Sequence, residues 1–163
     1  MKIYLGADHR GFSLKNDIKQ YLLKEKYEVV DLGNTQLDPN DDYPDFSLAV
    51  AKKVSENSKE DKGIVICGSG GGVMVVANKL PGIRSALALL PEQAFSLKND
   101  DDVNVLSLAS DFTKTEDALR IINVWLKTSF SGAERHKRRI NKIAMIEKGF
   151  EDKTNEKVGI LRN

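Results

Sequence analysis

The stretch 63–79, GIVICGSGGGVMVVANK, decides how this chain is read. Its first residues are apolar and mostly β-branched, as a strand buried on both faces requires. Four glycines then fall within five positions before a helical apolar pattern resumes. The order is strand, bare turn, helix. At Gly68, Gly70, Gly71 and Gly72 no side chain separates a ligand from the main chain, and the N–H groups opening the next helix would face an anion or a developing oxyanion. Cys67 ends the strand and Ser69 lies within the turn, so the two side chains able to do chemistry stand at its mouth. A tight βα connection with a buried thiol is the alternative reading.

Working outward, the same unit recurs. Residues 2–5 read as a strand, Gly6-Ala7-Asp8-His9-Arg10-Gly11 as its turn, and Phe12, Leu14, Ile18, Tyr21 and Leu22 recur at helical spacing to about residue 26. Asp8 and His9 would project from the carboxyl end of that strand, the edge where open parallel sheets place their ligands. Residues 27–32 form a second strand, 34–44 an Asp-, Asn- and Pro-rich loop, and 45–56 a helix. Tyr43, ahead of that helix, either covers a pocket or packs. Beyond the central unit come a strand over 83–90, a helix opened by Pro91 and running to about residue 98, a strand over 103–109 and a helix over 115–127. Residues 99–102, with three adjacent aspartates, form an acidic break. Carboxylates at a helix C-terminus oppose the macrodipole, so stability alone does not account for them. Five strands alternating with helices give an α/β protein with a parallel, doubly wound sheet covered on both faces.

After Ser131-Gly132, the segment AERHKRRINKIAMIEKGF carries apolar residues at helical spacing and no strand follows, which predicts an extra C-terminal helix. Arg135 and Arg139 are four apart and share a face, and two guanidinium forks so placed suit a phosphate; a nucleic-acid patch and plain solubility are the competing readings. Residues 1–150 read as one domain and 151–163 as a polar tail whose Val158, Ile160 and Leu161 could dock on a neighbour.

Composition sets the outer limits. Twenty-five basic and 24 acidic side chains leave a net charge of +1, so no global field recruits nucleic acid or an anionic membrane, and any anion site is local. One cysteine cannot form an internal disulfide, and no apolar run has the length of a signal-peptide core or a membrane span. A cytoplasmic protein is expected.

The segments KIYLGADHRGFSLK, DYPDF, GIVICGSGGGVMVVANKLPGIRSAL, NVLSL and ERHKRRINKI, in this order and spacing, resemble the ribose-5-phosphate isomerase B family, which includes galactose-6-phosphate isomerase subunits. The resemblance spans about residues 2–148. It implies a Rossmann-like three-layer sandwich with a five-stranded parallel sheet. It also implies a homodimer or dimer of dimers with sites at the subunit interface, and aldose–ketose isomerisation of a phosphorylated sugar through a cis-enediolate with no metal and no cofactor. Family members use as base either a cysteine, matched by Cys67, or a glutamate that would fall at Val73; valine cannot carry a proton, so Cys67 is selected. A thiolate is the active form, and a helix N-terminus favours it. By the same resemblance Ser69 polarises the substrate oxygens and the amides of Gly70, Gly71 and Gly72 hold the enediolate. Asp8 and His9 contact the sugar and its phosphate, Tyr43 lines the same pocket, and Arg135 and Arg139 form the phosphate clamp.

Three positions depart from the family. The usual His-Asn-Asp before the fifth strand, whose histidine opens the furanose ring, is here Asp100-Asp101-Asp102, and a phosphate-binding arginine is matched by Asp111. Asp100 could serve as the ring-opening acid if burial raised its pKa, Asp101 would stand beside it, and Asp111 would repel a dianion. A four-carbon substrate would need no ring opened. A catalytically silent relative, or a partner of an unlike isomerase subunit, is the rival from another functional class.

Overall fold

In the computed structural model, residues 1–160 are described, the side chains of 150–160 excepted. Five strands among them, β1 (Lys2–Ala7), β2 (Glu28–Asp31), β3 (Lys62–Cys67), β4 (Ser85–Leu87) and β5 (Val105–Ala109), pair in parallel in the order β2-β1-β3-β5-β4. The helices are α1 (Phe12–Lys24), α2 (Tyr43–Glu56), α3 (Gly71–Ala77), α4 (Pro91–Asp101), α5 (Thr115–Lys127) and α6 (Glu134–Ile160). The chain divides into two compact units, Met1–Phe130 holding the sheet and Ser131–Asn163 holding α6. The segment expected as a polar tail is helical backbone as far as Ile160, and Leu161 lies outside the described residues.

Alternation along the strands builds two cores. Ile3, Leu5, Ala7, Ile64, Ile66, Leu106 and Leu108 project to one face, where Leu14, Ile18 and Leu22 of α1, Ala94 of α4 and Ile121, Ile122 and Trp125 of α5 cover them. Tyr4, Val65, Cys67 and Val105 project to the other, under Val50, Ala51 and Val54 of α2 and Val73 and Ala77 of α3. Both faces of β1, β3 and β5 are therefore dry, which is why their sequences are continuously apolar rather than alternating.

Two boundaries differ from expectation for identifiable reasons. β4 is three residues long, not eight, because it lies at the sheet edge and pairs only with β5. α4 runs through the aspartates to Asp101, three residues past the expected end, and Asp102 closes it in the left-handed conformation at φ 48. The Asp102 carboxylate is tolerated there because basic groups meet it. Lys98 and Arg84 both pair with the Asp102 carboxylate, and the Arg84 guanidinium also donates to the carbonyls of Asp101 and Asp102 at 2.8–3.1 Å, satisfying helix-end acceptors.

Candidate functional site

The strand order reverses between β1 and β3: the chain winds outward from β1 to β2, then returns past β1 to β3. In open α/β sheets the crevice outside the carboxyl ends at such a point is where ligands lie. Register makes the neighbours explicit. Ala7 is level with Ile66 and Cys67 with Ala109, so the turns after β1, β3 and β5 open side by side.

The β3 turn is shaped by its glycines. Gly70 takes φ +70, and a Cβ on it would lie 2.6 Å from Leu87 Cδ1 and 3.0 Å from the Leu108 carbonyl carbon. No other residue fits both demands. Ser107 on β5 donates its hydroxyl to the Gly70 carbonyl, and the Ser47 hydroxyl on α2 donates to Val73 O at 2.6 Å, so the start of α3 is tied from both sides. Ser69 is exposed, and its Oγ accepts the Gly71 N–H at 3.3 Å. The Tyr43 ring lies against Gly72, where a Cβ would come within 2.7 Å of it, so the tyrosine both packs and borders the turn. Cys67 closes β3 as a free thiol with 5 % of its surface accessible, and its carbonyl accepts the Ser110 N–H at 3.0 Å.

The β1 turn is held by its own carboxylate. Asp8 is buried, and its Oδ1 accepts the N–H groups of Arg10 and Gly11 at 3.0 Å each, a local turn that orders the entry to α1. His9 is half-buried, and both its main-chain N–H and its ring Nδ1 reach Asp41 Oδ1 at 2.8 Å. The Asp41 hydrogen bond is the main reason the His9 pKa is raised above its ordinary value; partial burial works against it, and the nearby Asp8 carboxylate adds to the rise.

Arg10 was not among the expected site residues, and it changes the meaning of Asp111. Its guanidinium pairs with the Asp111 carboxylate and lies on the bare face of Gly68, where a Cβ would be 2.5 Å from Cζ and Nε. The Asp111 N–H in turn donates to the Gly68 carbonyl at 3.0 Å. The unopposed repulsion expected of Asp111 is thus offset by a cation on its own carboxylate. Nothing in the spacing marked Arg10, because 101 residues separate it from its partner.

Two groups of expected site residues are not brought to this edge within unit Met1–Phe130. Asp100 and Asp101 precede β5, whose first residue is level with Gly63, so four residues of strand, about 13 Å at 3.3 Å rise, separate their end of the sheet from Cys67. Arg135 and Arg139 belong to the second unit, both exposed on one face of α6. Asp41, Asn34 and Arg10 are the functional candidates that sequence reading missed. For Asp41 the only signal was its place in a polar loop shared with two other aspartates.

The assembled edge offers a thiol, an exposed hydroxyl, a turn without side chains, an imidazole donor and a paired guanidinium. That inventory suits an anionic ligand rich in hydroxyls. Among the described residues, no three His, Cys, Asp or Glu side chains gather where they could hold a metal ion, and no helix is long and apolar enough to cross a membrane.

Comparison with known proteins agrees with this chemistry. Residues 3–143 match the family model described as Ribose/Galactose Isomerase. The chain is 36% identical over 151 residues to ribose-5-phosphate isomerase B of Mycobacterium tuberculosis, covering 93% of each. The crystal structure of ribose-5-phosphate isomerase B from Mycoplasma genitalium with bound ribulose-5-phosphate superposes with a TM-score of 0.88 at 44% identity, over 90% of this chain and 96% of that one. The Clostridium thermocellum ribose-5-phosphate isomerase B gives 0.87 at 43% identity, over 92% and 99%.

Proposed function

This chain belongs to the ribose/galactose isomerase family, and on that premise we propose that it is an aldose–ketose isomerase converting ribose 5-phosphate to ribulose 5-phosphate. The observation that carries the reading is the 44% identity, over nine-tenths of the chain, to a relative whose crystal structure holds ribulose-5-phosphate. Cys67 is the base. Its thiolate removes the proton from the hydroxyl-bearing carbon beside the carbonyl, the electron pair moves into a cis-enediolate, and the proton returns to the neighbouring carbon. Substrate and product have the same composition, so no redox partner or cofactor enters and no metal is required by this scheme. Ser69 and the amides of Gly68, Gly70, Gly71 and Gly72 meet the enediolate oxygens. For the Gly71 amide this means exchanging its present Ser69 acceptor for substrate. Asp8, His9 and Tyr43 border the sugar, and Arg135 and Arg139 grip the phosphate.

The working unit in this reading is a homodimer or dimer of dimers in the cytoplasm, with sites at the subunit interface and neither nucleic acid nor membrane as partner. Leu89, Leu90 and Phe95 support the assembly: they are large, apolar and exposed around the start of α4. Asp100 opens the furanose, with Asp101 beside it, only if a second copy supplies them, because β5 separates both from Cys67 of their own chain.

That separation also favours a second substrate reading. A tetrose phosphate forms no such ring and makes a ring-opening acid unnecessary; a hexose 6-phosphate is the other alternative, and a non-catalytic sugar-phosphate binder the rival of a different class. Incubating the purified protein with ribose 5-phosphate, a tetrose phosphate and a hexose 6-phosphate, with ketose formation followed by NMR, tests these together. Turnover of the pentose is expected. Turnover of the tetrose alone transfers the assignment to it, and turnover of none by a folded protein overturns the enzyme reading.

A further inference from the structure

The loop between β2 and α2 brings to His9 two residues, Asp41 and Asn34, to which the isomerase reading gives no part. Asp41 is nearly buried, with 7 % of its side chain accessible, and both its oxygens are engaged. Oδ1 takes the main-chain N–H and ring Nδ1 of His9, each at 2.8 Å; Oδ2 takes the Asn34 side-chain amide at 3.0 Å. The Asn34 carbonyl is held in turn by Lys15 Nζ at 2.9 Å. Lys15 is fully buried and also reaches both oxygens of Asp31 at 2.8 Å. A continuous run of hydrogen bonds thus leads from a buried ion pair under α1 to the imidazole at the carboxyl edge of β1.

The chemistry of the partners fixes the proton. An ionised carboxylate only accepts, so Nδ1 must carry the hydrogen that faces Asp41, and the same rule makes Nδ2 the Asn34 atom that meets it. One oxygen grasps the backbone and the ring of the same residue, which restrains the χ angles of His9 as well as its tautomer. The second ring nitrogen, Nε2, is then the atom left for a ligand. When the ring is protonated, Nε2 is a charged donor, the form that hydrogen-bonds an anion most strongly.

We propose that Asp41 and Asn34 are positioning residues that hold His9 in one orientation with Nε2–H presented to an anionic group of the substrate. This rests on the sugar-phosphate reading for the identity of the anion, but not for the device itself. The charged groups facing His9 are Asp41 from the β2–α2 loop and Asp8 from its own turn. The guanidinium of the adjacent Arg10 is engaged by Asp111. A carboxylate on either side keeps the imidazolium charged to higher pH than an isolated histidine, and removing Asp41 shortens that range.

The test reads the ring directly. The chain has two histidines, so ring resonances titrated by NMR are few, and His9→Gln identifies the one of interest. In the unmutated protein His9 should titrate above its ordinary value; titration at or below it overturns the proposal without any variant. In Asp41→Asn the midpoint should fall, affinity for inorganic phosphate should drop about tenfold, the loss of one charge-assisted hydrogen bond, and the descending limb of kcat/KM should move to lower pH. A folded Asp41→Asn protein with an unmoved His9 midpoint also overturns it. Should that variant fail to fold, Asn34→Ala keeps the carboxylate, and more than one His9 ring environment in its spectrum is the expected result, an unchanged single one the contrary. Absence of isomerase activity with an intact His9 response would sink the isomerase reading alone.

Discussion

Both ends of the sheet carry charged clusters and use them differently. At the amino end, around Asp61, Lys62, Arg84, Lys98 and Asp102, donors go chiefly to the main chain. Lys62 Nζ donates to the carbonyls of Lys59, Glu60 and Asp61, Arg84 to those of Asp101 and Asp102, and the buried Asn104 side chain joins Arg84 N–H to Gly82 O at 2.8 Å each. Burial first, then the positive charges of Lys98 and Arg84, hold the Lys62 pKa below its ordinary value, although Asp102 and Asp61 pull the other way. At the carboxyl end, His9 meets Asp41 and Arg10 meets Asp111, side chain to side chain, with 34 % and 56 % of the two basic side chains accessible, around a turn stripped of side chains. The first end closes loops and the second presents donors. A charged cluster is therefore judged by where its hydrogen bonds go, not by how many charges it has.

Three substitutions sharpen or break that contrast. The largest effect is expected at the carboxyl end: Cys67→Ala should lower kcat by about 10²–10⁴, the usual contribution of a positioned base and equivalent to about 3–5 kcal/mol of barrier. Its melting temperature should fall by only a few degrees, the cost of about 1 kcal/mol for one buried sulfur. Retained turnover would make the thiol a packing residue and the contrast would lose its catalytic half. Next, Asn104→Ala at the amino end should cost about 1–3 kcal/mol in denaturant unfolding, because the Arg84 N–H loses its acceptor. The kcat of the folded fraction should be unaltered, and a large kcat change there would mean that the two ends are not functionally separate. The smallest effect belongs to Gly68→Ala. The new methyl meets the far end of a flexible arginine, which can swing off Asp111, so stability should change by under about 1 kcal/mol while KM for the phosphorylated substrate shifts measurably. A loss of several kcal/mol would instead assign Arg10 a structural part.

Much of the architecture was legible because local signals agreed. The helix over 115–127 was read to its exact residues, and β1, β3 and β5 announced themselves as apolar runs ended by glycine or aspartate turns. The glycine turn was legible for the same reason: its composition is its geometry. What stayed hidden depends on contacts between distant residues. The aspartates of 100–102 looked like a break or a site because the partners of Asp102, Lys98 on the preceding helix and Arg84 before β4, could only be matched in three dimensions. Asp41 and His9 are 32 residues apart and Arg10 and Asp111 are 101, so neither pair left a periodic trace. Family likeness suggested roles for single residues, and the motifs that carried it do not pair residues so far apart in the chain.

The outermost strands have a consequence for assembly. β2 offers four residues and β4 three, and β2 carries Glu28 and Asp31 at its two ends. So brief a hydrogen-bonding rim gives another chain little backbone to zip onto, which discourages runaway ribbon growth between molecules. For copies of this protein that associate, side chains on helices and loops offer more to pair with than these two edges do.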